Sequence, residues 1–350
     1  MKTVILTGGG TAGHVVPALS LISELKNHFD KIVYIGNKNG IEYELAKSKE
    51  LEFYHLPSVK LKRSLTPENL LIPFKLAYAV REAKKLLLNL RPSVIFSKGG
   101  YVALPAVISA SRLGIPVVCH ESDMTVGLAN KIGAKHSKLF LTSFDCTKIN
   151  AKRVIFSGSP LKEELFLNRD KKSLIKKYGV DKNKKTVLIF GGSLGSQFIN
   201  EITEKCLYKL VNRYNIIHIC GKNKGEYLKK NNYLRLPFST SIEELFCLSD
   251  IVVSRAGANS LFELTALKKP TLAIPLPKSA SRGDQIQNAE YFKSKGMIEV
   301  LYQEKANDDS FFNAILKTEQ KSDELTKSCQ QFSLNNPNKT IAELIKSSVL

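Results

Sequence analysis

No stretch of this 350-residue sequence approaches the roughly 20 consecutive apolar residues that are needed to span a bilayer. The first residues lead directly into an apolar segment, without the charged and apolar regions of a signal peptide. These two absences argue against a membrane-spanning or exported protein. We therefore expect a protein that stays in the cytoplasm.

The six cysteines show no paired spacing of the kind that binds a metal. Several of them lie inside apolar runs, and the full set is Cys119, Cys146, Cys206, Cys220, Cys247 and Cys329. The pattern predicts reduced and buried thiols.

Acidic residues are few: 32 Asp and Glu stand against 52 Lys and Arg, which gives a formal net charge of +20. A charge of this size suits a nucleic-acid partner or an anionic membrane surface. The sequence contains no zinc-finger spacing and no aromatic-basic consensus for RNA binding. We therefore interpret most of the charge as solvated surface and expect no nucleic-acid partner.

One arrangement occurs twice: an apolar strand, a glycine-rich turn and the start of a helix. The first copy spans residues 4–14 (VILTGGGTAGH) and the second spans residues 187–196 (VLIFGGSLGS). Glycine lets the backbone approach a ligand closely, and the helix that follows adds the positive end of its dipole. The pair predicts two halves that each present bare backbone amides to a phosphate.

The first turn also satisfies the dinucleotide fingerprint GxGxxG through Gly8, Gly10 and Gly13. That fingerprint expects an acidic residue at the end of the second strand, where it holds the ribose hydroxyls. Here the second strand ends in Gly36, Asn37 and Lys38 instead. A nicotinamide-dependent oxidoreductase is therefore not favoured, and a glycine turn that only packs a helix against a sheet remains the structural alternative.

Apolar runs that alternate with helical patterns predict an α/β fold with two doubly wound, Rossmann-like domains. The predicted strands are residues 2–7, 31–36, 93–97, 116–120 and 138–142, then 186–190, 215–220, 233–236, 250–254 and 271–275. A turn-rich hinge at residues 157–160 predicts domains at 1–158 and 159–335. A last helix within 336–350 has apolar positions that need a surface, and we expect it to cross back to the first domain. Two such sheets predict a ligand cleft between the domains.

Six segments together resemble the MurG family of glycosyltransferases: GGGTAGHVVP, SKGGYVALPA, GIPVVCHES, GGSLGSQ, SRAGANSLFE and GDQIQNA. The resemblance spans nearly the whole chain. It implies a GT-B fold and an inverting, metal-independent transfer of N-acetylglucosamine from UDP-N-acetylglucosamine to the 4-hydroxyl of the muramyl sugar of lipid I. The product would be lipid II for peptidoglycan synthesis, with no cofactor and with other cell-wall synthesis proteins as possible partners.

The same resemblance implies a donor site in the second domain. Glu263 would accept hydrogen bonds from the ribose hydroxyls, and Arg255 would neutralise the departing UDP. The full set of implied donor contacts is Ser193, Ser239, Ala258, Asn259, Ser260, Leu261, Phe262, Glu263 and Gln285.

On the acceptor side, His14 lies at a helix start directly after the first glycine turn, and its ordinary pKa suits a general base at neutral pH. The resemblance favours that role over a capping or core histidine. The remaining implied contacts are Thr11, Ala12 and Gly13, then Gly99, Gly100 and Tyr101 for the acceptor diphosphate, with Glu121 orienting loops or substrate. The chain departs from the family pattern at Asp123 and Lys162, where the family usually has Asn and Arg. Asp123 could still accept a hydrogen bond from a sugar hydroxyl, and Lys162, with Arg255, could neutralise departing UDP.

A polyprenyl-linked acceptor would require contact with a membrane surface, and residues 70–90 offer one. Apolar side chains there are interleaved with cations, and further cations precede them; the residues are Leu70, Leu71, Ile72, Phe74, Leu76, Tyr78, Lys75, Arg81, Lys84 and Lys85, after Lys60, Lys62 and Arg63. Such a patch predicts peripheral binding to anionic lipid at the cytoplasmic face of the bacterial inner membrane. The alternative is an ordinary amphipathic helix whose leucines pack inward.

Two other hypotheses explain part of these sequence features. A UDP-sugar 2-epimerase can share the two-domain fold and the donor site, but it would not need the basic apolar patch. A nonenzymatic protein that binds nucleic acid or anionic lipid would not need Glu263, Gln285 and both glycine turns together.

Overall fold

The computed structural model describes residues 1–58, 71–192, 195–222, 224–280, 283–332 and 336–349. The chain forms two compact units. The N-terminal unit comprises Met1–Lys162 together with Leu334–Leu350, and the C-terminal unit comprises Glu163–Ser333. Within the described residues each unit contains one seven-stranded sheet.

The sheet of the N-terminal unit is parallel throughout and follows the order β3-β2-β1-β4-β5-β6-β7. Its strands are β1 (Thr3–Thr7), β2 (Lys31–Gly36), β3 (Glu52–His55), β4 (Val94–Ser97), β5 (Val117–Glu121), β6 (Leu139–Thr142) and β7 (Val154–Phe156). Its first six helices are α1 (Ala12–Leu19), α2 (Ile22–Lys26), α3 (Ile41–Ser48), α4 (Ile72–Leu90), α5 (Leu104–Arg112) and α6 (Leu128–His136).

Two apolar cores flank this sheet, because its inner strands are buried on both faces. Alternate residues of β1 illustrate the division. Val4 and Leu6 pack with α1 and α2, while Ile5 packs with α4, α5 and α6.

The sheet of the C-terminal unit follows the order β10-β11-β9-β8-β12-β13-β14, and only the β10–β11 pair is antiparallel. Its strands are β8 (Thr186–Phe190), β9 (Asn215–Ile219), β10 (Leu228–Lys230), β11 (Tyr233–Leu236), β12 (Ile251–Ser254), β13 (Thr271–Ala273) and β14 (Glu299–Val300). Its helices are α7 (Lys171–Tyr178), α8 (Gln197–Arg213), α9 (Ile242–Leu248), α10 (Ala258–Ala266), α11 (Asp284–Ser294), α12 (Asp308–Gln320) and α13 (Ser322–Phe332), with 3₁₀ turns at Glu163–Phe166 and Gln303–Lys305.

The last helix, α14 (Pro337–Ser347), belongs to the N-terminal unit. Its side chains Ile341 and Ile345 are fully buried in the core that also contains β1. Asn338 fastens the start of the helix, since its amide nitrogen donates to the carbonyl oxygens of Ser20 and Leu161 at 3.0 and 2.7 Å. The apolar face predicted from the sequence is therefore covered by the N-terminal unit.

All six cysteines are free, and four of them are buried. Cys247 is half-buried and Cys146 is exposed. The prediction of buried thiols is wrong for Cys146, because it lies in the loop after β6 and not in a strand. None of the helices in the described ranges combines the length and apolar character that crossing a membrane requires.

Candidate functional site

In both units the glycine turns follow the strands at which the strand order reverses. The N-terminal chain goes from β1 outward to β2 and β3 and returns to β4 on the other side of β1. The C-terminal chain repeats this path with β8, β9, β11 and β12. Open α/β sheets bind ligands beyond the carboxyl ends of their strands at this reversal.

The C-terminal reversal opens into a cavity of about 670 Å³, within the range of about 300–1,000 Å³ that is typical of small-molecule sites. The described residues that line it are Gly191, Gly192, Gly195, Ser196, Gln197, Phe198, Glu201, Arg255, Leu276, Pro277, Ala280, Gln285 and Gln303. Backbone of the glycine turn, one buried cation and several amide side chains therefore face the same space.

The turn between β8 and α8 requires glycine for its path. Gly195 has a φ of +70°, and a Cβ added there would overlap the carbonyl oxygen of Cys220. A Cβ at Gly191 would overlap the backbone nitrogen of Ser196. Gly192 has a φ of +90°, and a Cβ added there would meet none of the described atoms within 4 Å, which leaves room for a ligand. The predicted contact Ser193 lies outside the described residues.

Arg255 supplies a fixed positive charge to this cavity. One terminal nitrogen donates to the carbonyl oxygens of Ile274 and Pro275 at 3.1 and 3.2 Å. The other donates to Oγ of Ser196 at 2.8 Å and Oε1 of Gln303 at 2.9 Å. Because both terminal nitrogens already donate to the protein, Arg255 has few donors left for a phosphate and would act on one mainly through its charge. Its role toward departing UDP stays a prediction.

The predicted segment 258–263 forms the start of α10, and no side chain caps that helix. Its first turn therefore directs backbone amides and the positive dipole end beyond the carboxyl end of β12. Glu263 is half-buried in the second turn, and Asn259 and Ser260 are also half-buried. Ala258 is 4 % exposed.

Leu261 and Phe262 differ from the rest of this segment, because their side chains are buried. The Leu261 side chain is fully buried, and its amide donates to the carbonyl oxygen of Gly257 at 3.0 Å. The Phe262 ring packs edge-on against Phe292, with centroids 5.1 Å apart. Their side chains are buried because the apolar face of α10 must be covered. Any contact of these two residues with the donor would therefore involve backbone atoms, and it stays a prediction.

The two remaining predicted donor contacts are half-buried and lie at the same edge of the sheet. Gln285 lines the cavity, and its Oε1 accepts the backbone N–H of Leu276 at 3.0 Å. This bond orients the side-chain amide. Ser239 follows β11, and its Oγ accepts the N–H of Ser241 at 3.2 Å.

In the N-terminal unit, His14 is the third residue of α1. Its Nδ1 lies 2.9 Å from Oγ1 of Thr11. Burial lowers the pKa of His14, the positive charge of Lys98 lowers it further, and Glu121 acts in the opposite direction. The imidazole is therefore neutral at pH 7, and Nε2 can accept a proton when Nδ1 donates to Thr11.

Glu42, in the first turn of α3, is fully buried beneath the first glycine turn. Its carboxylate oxygens lie 3.4 Å from the amide nitrogen of Gly10 and 3.1 Å from that of Asn37. A Cβ added to Gly9 would lie 2.7 Å from Oε1 of Glu42. The prediction of bare amides is thus wrong for Gly10, because the fold brings an internal anion against it.

The turn after β4 interlocks with the first glycine turn. A Cβ at Gly100 would overlap the carbonyl oxygen of Gly9, and a Cβ at Gly10 would lie 2.7 Å from Cε1 of Tyr101. A Cβ at Gly99 would lie 2.6 Å from Oδ1 of Asn130. These glycines are required by close packing, and diphosphate binding by Gly99, Gly100 and Tyr101 stays a prediction.

Glu121 organises the loop after β5. Its Oε1 accepts the backbone N–H groups of Ser122 and Asp123 at 2.8 and 3.1 Å. Its Oε2 accepts the N–H of Gly127 and the side-chain amide of Asn130, both at 3.0 Å. The carboxylate thus orients this loop, which is the first of the two roles predicted for it.

The other predicted residues of this unit remain accessible to different degrees. Thr11 and Gly13 are exposed, whereas Ala12, Asp123 and Lys162 are half-buried. Their contacts with a substrate stay predictions.

Lys98, directly after β4, is 1 % exposed. Its Nζ donates to Nδ1 of His120 at 2.8 Å and also to Oγ of Ser122. Burial is the main cause that lowers the pKa of Lys98, to about 8, and the charges of Glu121 and Asp123 oppose that shift.

His120 is held from both sides of its ring. Its Nδ1 accepts from Lys98, and its Nε2 lies 2.9 Å from the carbonyl oxygen of Gly158. A carbonyl can only accept, so the hydrogen is on Nε2. Burial, followed by the charge of Lys98, lowers the pKa of His120 well below its ordinary value, and the ring is neutral.

Comparison with known proteins adds the family. Residues 4–141 match the glycosyltransferase family 28 N-terminal domain, and residues 186–345 match the glycosyltransferase family 28 C-terminal domain. A Clostridium botulinum (strain Alaska E43 / Type E3) protein is 42% identical over 351 residues, which cover 99% of this chain and 98% of that protein. It is named UDP-N-acetylglucosamine--N-acetylmuramyl-(pentapeptide) pyrophosphoryl-undecaprenol N-acetylglucosamine transferase. A Clostridium tetani protein with the same name is 41% identical, over 99% of this chain and 98% of its own length.

The chain belongs to glycosyltransferase family 28. Its fold is that of a solved structure, MurG of Acinetobacter baumannii, with a TM-score of 0.77 and 24% identity over 99% of this chain and 100% of that one. The fold is also that of a UDP-GlcNAc 2-epimerase from Neisseria meningitidis, with a TM-score of 0.67 and 15% identity over 99% of both chains. Membership of family 28 makes the chain a glycosyltransferase and sets aside the oxidoreductase, epimerase and nonenzymatic hypotheses.

Among the buried polar residues around the glycine turns of the N-terminal unit, Glu42, Lys98 and Asn130 were not predicted from the sequence. Only Lys98 had a signal, since a lysine directly after a buried apolar strand has nowhere to place its charge without a partner. Glu42 and Asn130 lie on helices with no distinguishing pattern.

Proposed function

We propose that this family 28 protein transfers N-acetylglucosamine from UDP-N-acetylglucosamine to the 4-hydroxyl of the muramyl sugar of lipid I, forming lipid II. The observation that carries the proposal is the 42% identity, over 99% of the chain, to a protein named for this transfer. The cavity of the C-terminal unit supports it, because its glycine turn and its fixed cation suit a nucleotide diphosphate. The uncapped start of α10, which follows the neighbouring strand β12, adds a second group of backbone amides.

The donor is held by the C-terminal unit in this proposal. The diphosphate binds at the amides of Gly192 and of the first turn of α10, near the charge of Arg255. Glu263, in the second turn of α10, accepts hydrogen bonds from the ribose hydroxyls, and Gln285 binds hydroxyls of the sugar. When the bond from C1 of the sugar to the phosphate oxygen breaks, UDP leaves with the electron pair, and these groups stabilise its negative charge.

The acceptor is activated by the N-terminal unit. The neutral His14 takes the proton of the 4-hydroxyl on Nε2, and the oxygen then forms the new bond to C1 of the sugar from the face opposite UDP. Thr11 keeps the imidazole oriented by accepting from Nδ1. Glu121 stabilises the imidazolium that forms, since its charge favours the protonated ring.

Incubation with labelled UDP-N-acetylglucosamine and a soluble lipid I analogue tests the proposal. We expect a product that carries one added N-acetylglucosamine, one UDP released for each transfer, and the same rate in the presence of EDTA. Donor alone should yield no C2 epimer. Conversion of the donor without acceptor, or no transfer under any condition, would reject the assignment.

We further propose that the protein binds peripherally to an anionic membrane surface through the start of α4, at the cytoplasmic face of the bacterial inner membrane. Leu71, Phe74 and Tyr78 lie on one face of the helix and are 53%, 75% and 58% exposed. Such exposure argues against inward packing of these side chains. Leu70 and residues 60, 62 and 63 of the predicted patch lie outside the described residues.

Reversing three exposed cations of α4, with Lys75→Glu, Arg81→Glu and Lys84→Glu, should weaken binding to anionic vesicles on the order of 100-fold or more, since each cation near such a surface contributes about 1 kcal/mol. Vesicle sedimentation measures the effect. Transfer to a short-chain soluble acceptor should continue at the normal rate.

The control carries the same change of net charge in the C-terminal unit, through Lys172→Glu, Lys176→Glu and Lys182→Glu. These lysines are also exposed. Equal losses in both triple variants would mean that overall charge, and not the patch on α4, determines vesicle binding.

A further inference from the structure

We propose that Asn200 and His218 are positioning residues for the donor turn, the glycine turn that begins at Gly191 and ends at Ser196: they fix this turn through a buried chain of hydrogen bonds. Neither side chain contacts a substrate, and both act through the backbone of the turn. The inference rests on the proposed function, because that function assigns the cavity at this turn to the UDP-sugar donor. It concerns only groups within the C-terminal unit.

His218 is a polar residue in an otherwise apolar part of a central strand. It is fully buried, and β9 pairs with β8 on one side and with β11 on the other. A buried imidazole is costly unless its ring nitrogens have hydrogen-bond partners. Here the hydroxyl oxygen of Tyr233 lies 3.0 Å from Nδ1, and Oδ1 of Asn200 lies 3.0 Å from Nε2. Burial is the main cause that lowers the pKa of His218, to about 4, so the ring is neutral at pH 7.

The direction of each hydrogen bond follows from the backbone carbonyl group at one end of the chain. The side-chain nitrogen of Asn200 donates to the carbonyl oxygen of Cys220 at 3.0 Å, and a carbonyl can only accept. Oδ1 of Asn200 is therefore the atom that accepts the hydrogen on Nε2 of His218. Nδ1 of the neutral ring then accepts from the hydroxyl of Tyr233. Every group of the chain thus has a fixed role as donor or acceptor.

The carbonyl group of Cys220 is the point at which the chain reaches the donor turn. Gly195 packs directly against it, since an added Cβ would overlap the carbonyl oxygen. The backbone N–H of Gly195 donates to the carbonyl oxygen of Gly192 at 3.0 Å and closes the turn. Both glycines line the donor cavity. A shift of the Cys220 carbonyl group would therefore move the backbone that faces the donor.

Asn200 also holds the turn through the start of α8. Its backbone N–H donates to the carbonyl oxygen of Ser196 at 3.0 Å. Oγ of Ser196 in turn accepts from Arg255, the fixed cation of the cavity, at 2.8 Å. Through its backbone and its side chain, Asn200 thus fastens the end of the donor turn to the residue that follows β9.

A catalytic role for His218 is the obvious alternative, and the geometry opposes it. The side chain is fully buried, and both ring nitrogens have partners within the protein. His218 is not among the described residues that line the cavity. A histidine that exchanged a proton with a substrate would need a ring nitrogen within hydrogen-bond reach of it. His218 therefore acts through Asn200.

The test compares Asn200→Ala and His218→Phe with the wild type by amide hydrogen exchange and by calorimetry with UDP. In both variants the amide hydrogen of Gly195 should exchange about tenfold faster, because the turn opens more readily. The dissociation constant for UDP should rise about tenfold, the effect of losing roughly one buried hydrogen bond. In the reaction the donor KM should rise, while kcat and the acceptor KM stay nearly unchanged, as expected when only ground-state binding of the donor is weakened.

Asn215→Ala is the matched control. Asn215 is also a buried asparagine, and its side-chain amide forms hydrogen bonds with backbone groups of Asp181 and Lys184 at the amino end of β9. Its replacement should lower the stability of the same unit without changing hydrogen exchange at Gly195 or the affinity for UDP.

A double variant tests whether the two residues act as one chain. Asn200→Ala combined with His218→Phe should bind UDP as weakly as Asn200→Ala alone, because the histidine acts only through the asparagine. Additive losses of affinity would show two separate effects and would contradict the chain.

If Asn200→Ala does not fold, His218→Phe alone decides, since it leaves the donor turn and α8 unchanged in sequence. Unchanged exchange at Gly195, or unchanged affinity for UDP, overturns the inference, and so does an equal effect of Asn215→Ala. A wild type that binds no UDP would instead reject the proposed function. Faster exchange at Gly195 in Asn200→Ala than in Asn215→Ala would then still show that Asn200 positions the turn.

Discussion

Replacing His14 by Ala is expected to reduce kcat roughly 100- to 10,000-fold, the usual contribution of a general base. The acceptor hydroxyl would then have no group to take its proton at the moment of attack. The dissociation constant for UDP-N-acetylglucosamine should stay nearly unchanged, because His14 belongs to the N-terminal unit and the donor cavity is formed by the C-terminal unit. Calorimetry on the variant and single-turnover kinetics measure the two quantities separately.

The pH profile gives this experiment its sharpest control. In the wild type, kcat/KM should fall as the pH drops through the lowered pKa of His14, because the protonated ring cannot accept a proton. The His14→Ala variant should lack this fall of kcat/KM at low pH. Thr11→Val keeps the shape of the side chain but removes the hydrogen-bond partner of His14 Nδ1. It should reduce kcat less than His14→Ala does, and its kcat/KM should still fall at low pH. A His14→Ala enzyme with normal turnover would show that another group is the base.

The inner strands of both sheets could be predicted from the sequence, and the outer ones could not. All ten predicted strands are present within two residues of their expected limits. The four missed strands, β3, β7, β10 and β14, are the edges of the two sheets. A central strand is buried on both faces and therefore forms a continuous apolar run, whereas an edge strand such as β10 is exposed along its length and carries no such pattern.

The residues of the candidate site also divide into those that the sequence predicts and those that it does not. The glycine turns and the start of α10 follow from local patterns, since a positive φ or a close approach demands glycine at a fixed place. The contact of Gly10 with Glu42 could not be predicted from local patterns. The two residues are 32 positions apart in the sequence, and the pairing of β1 with β2 brings them together. Leu261 shows the opposite case: its place within a matching motif suggested contact with a ligand, whereas the helix periodicity alone predicts the burial of its side chain.

Gly195→Ala is expected to abolish donor binding and to destabilise the C-terminal unit by on the order of 3 kcal/mol. The φ of +70° costs an alanine about 1–2 kcal/mol. The overlap of its Cβ with the carbonyl oxygen of Cys220 adds about 1–3 kcal/mol. That oxygen also accepts the side-chain amide of Asn200 at 3.0 Å, so it cannot move aside freely. Denaturant unfolding and donor titration should both register the change.

Gly257→Ala distinguishes the glycines required by the fold from those required by a ligand. Gly257 precedes α10 with a φ of −69°, which alanine adopts readily, and a Cβ there would meet nothing within 4 Å. Stability should therefore change by less than about 1 kcal/mol. If the diphosphate approaches the first turn of α10, the added methyl group enters its space, and donor affinity should fall about tenfold, equivalent to ~1.4 kcal/mol. A stable variant with unchanged affinity would remove the start of α10 from the donor site, whereas a stable variant with weakened binding would identify Gly257 as a position kept open for the donor.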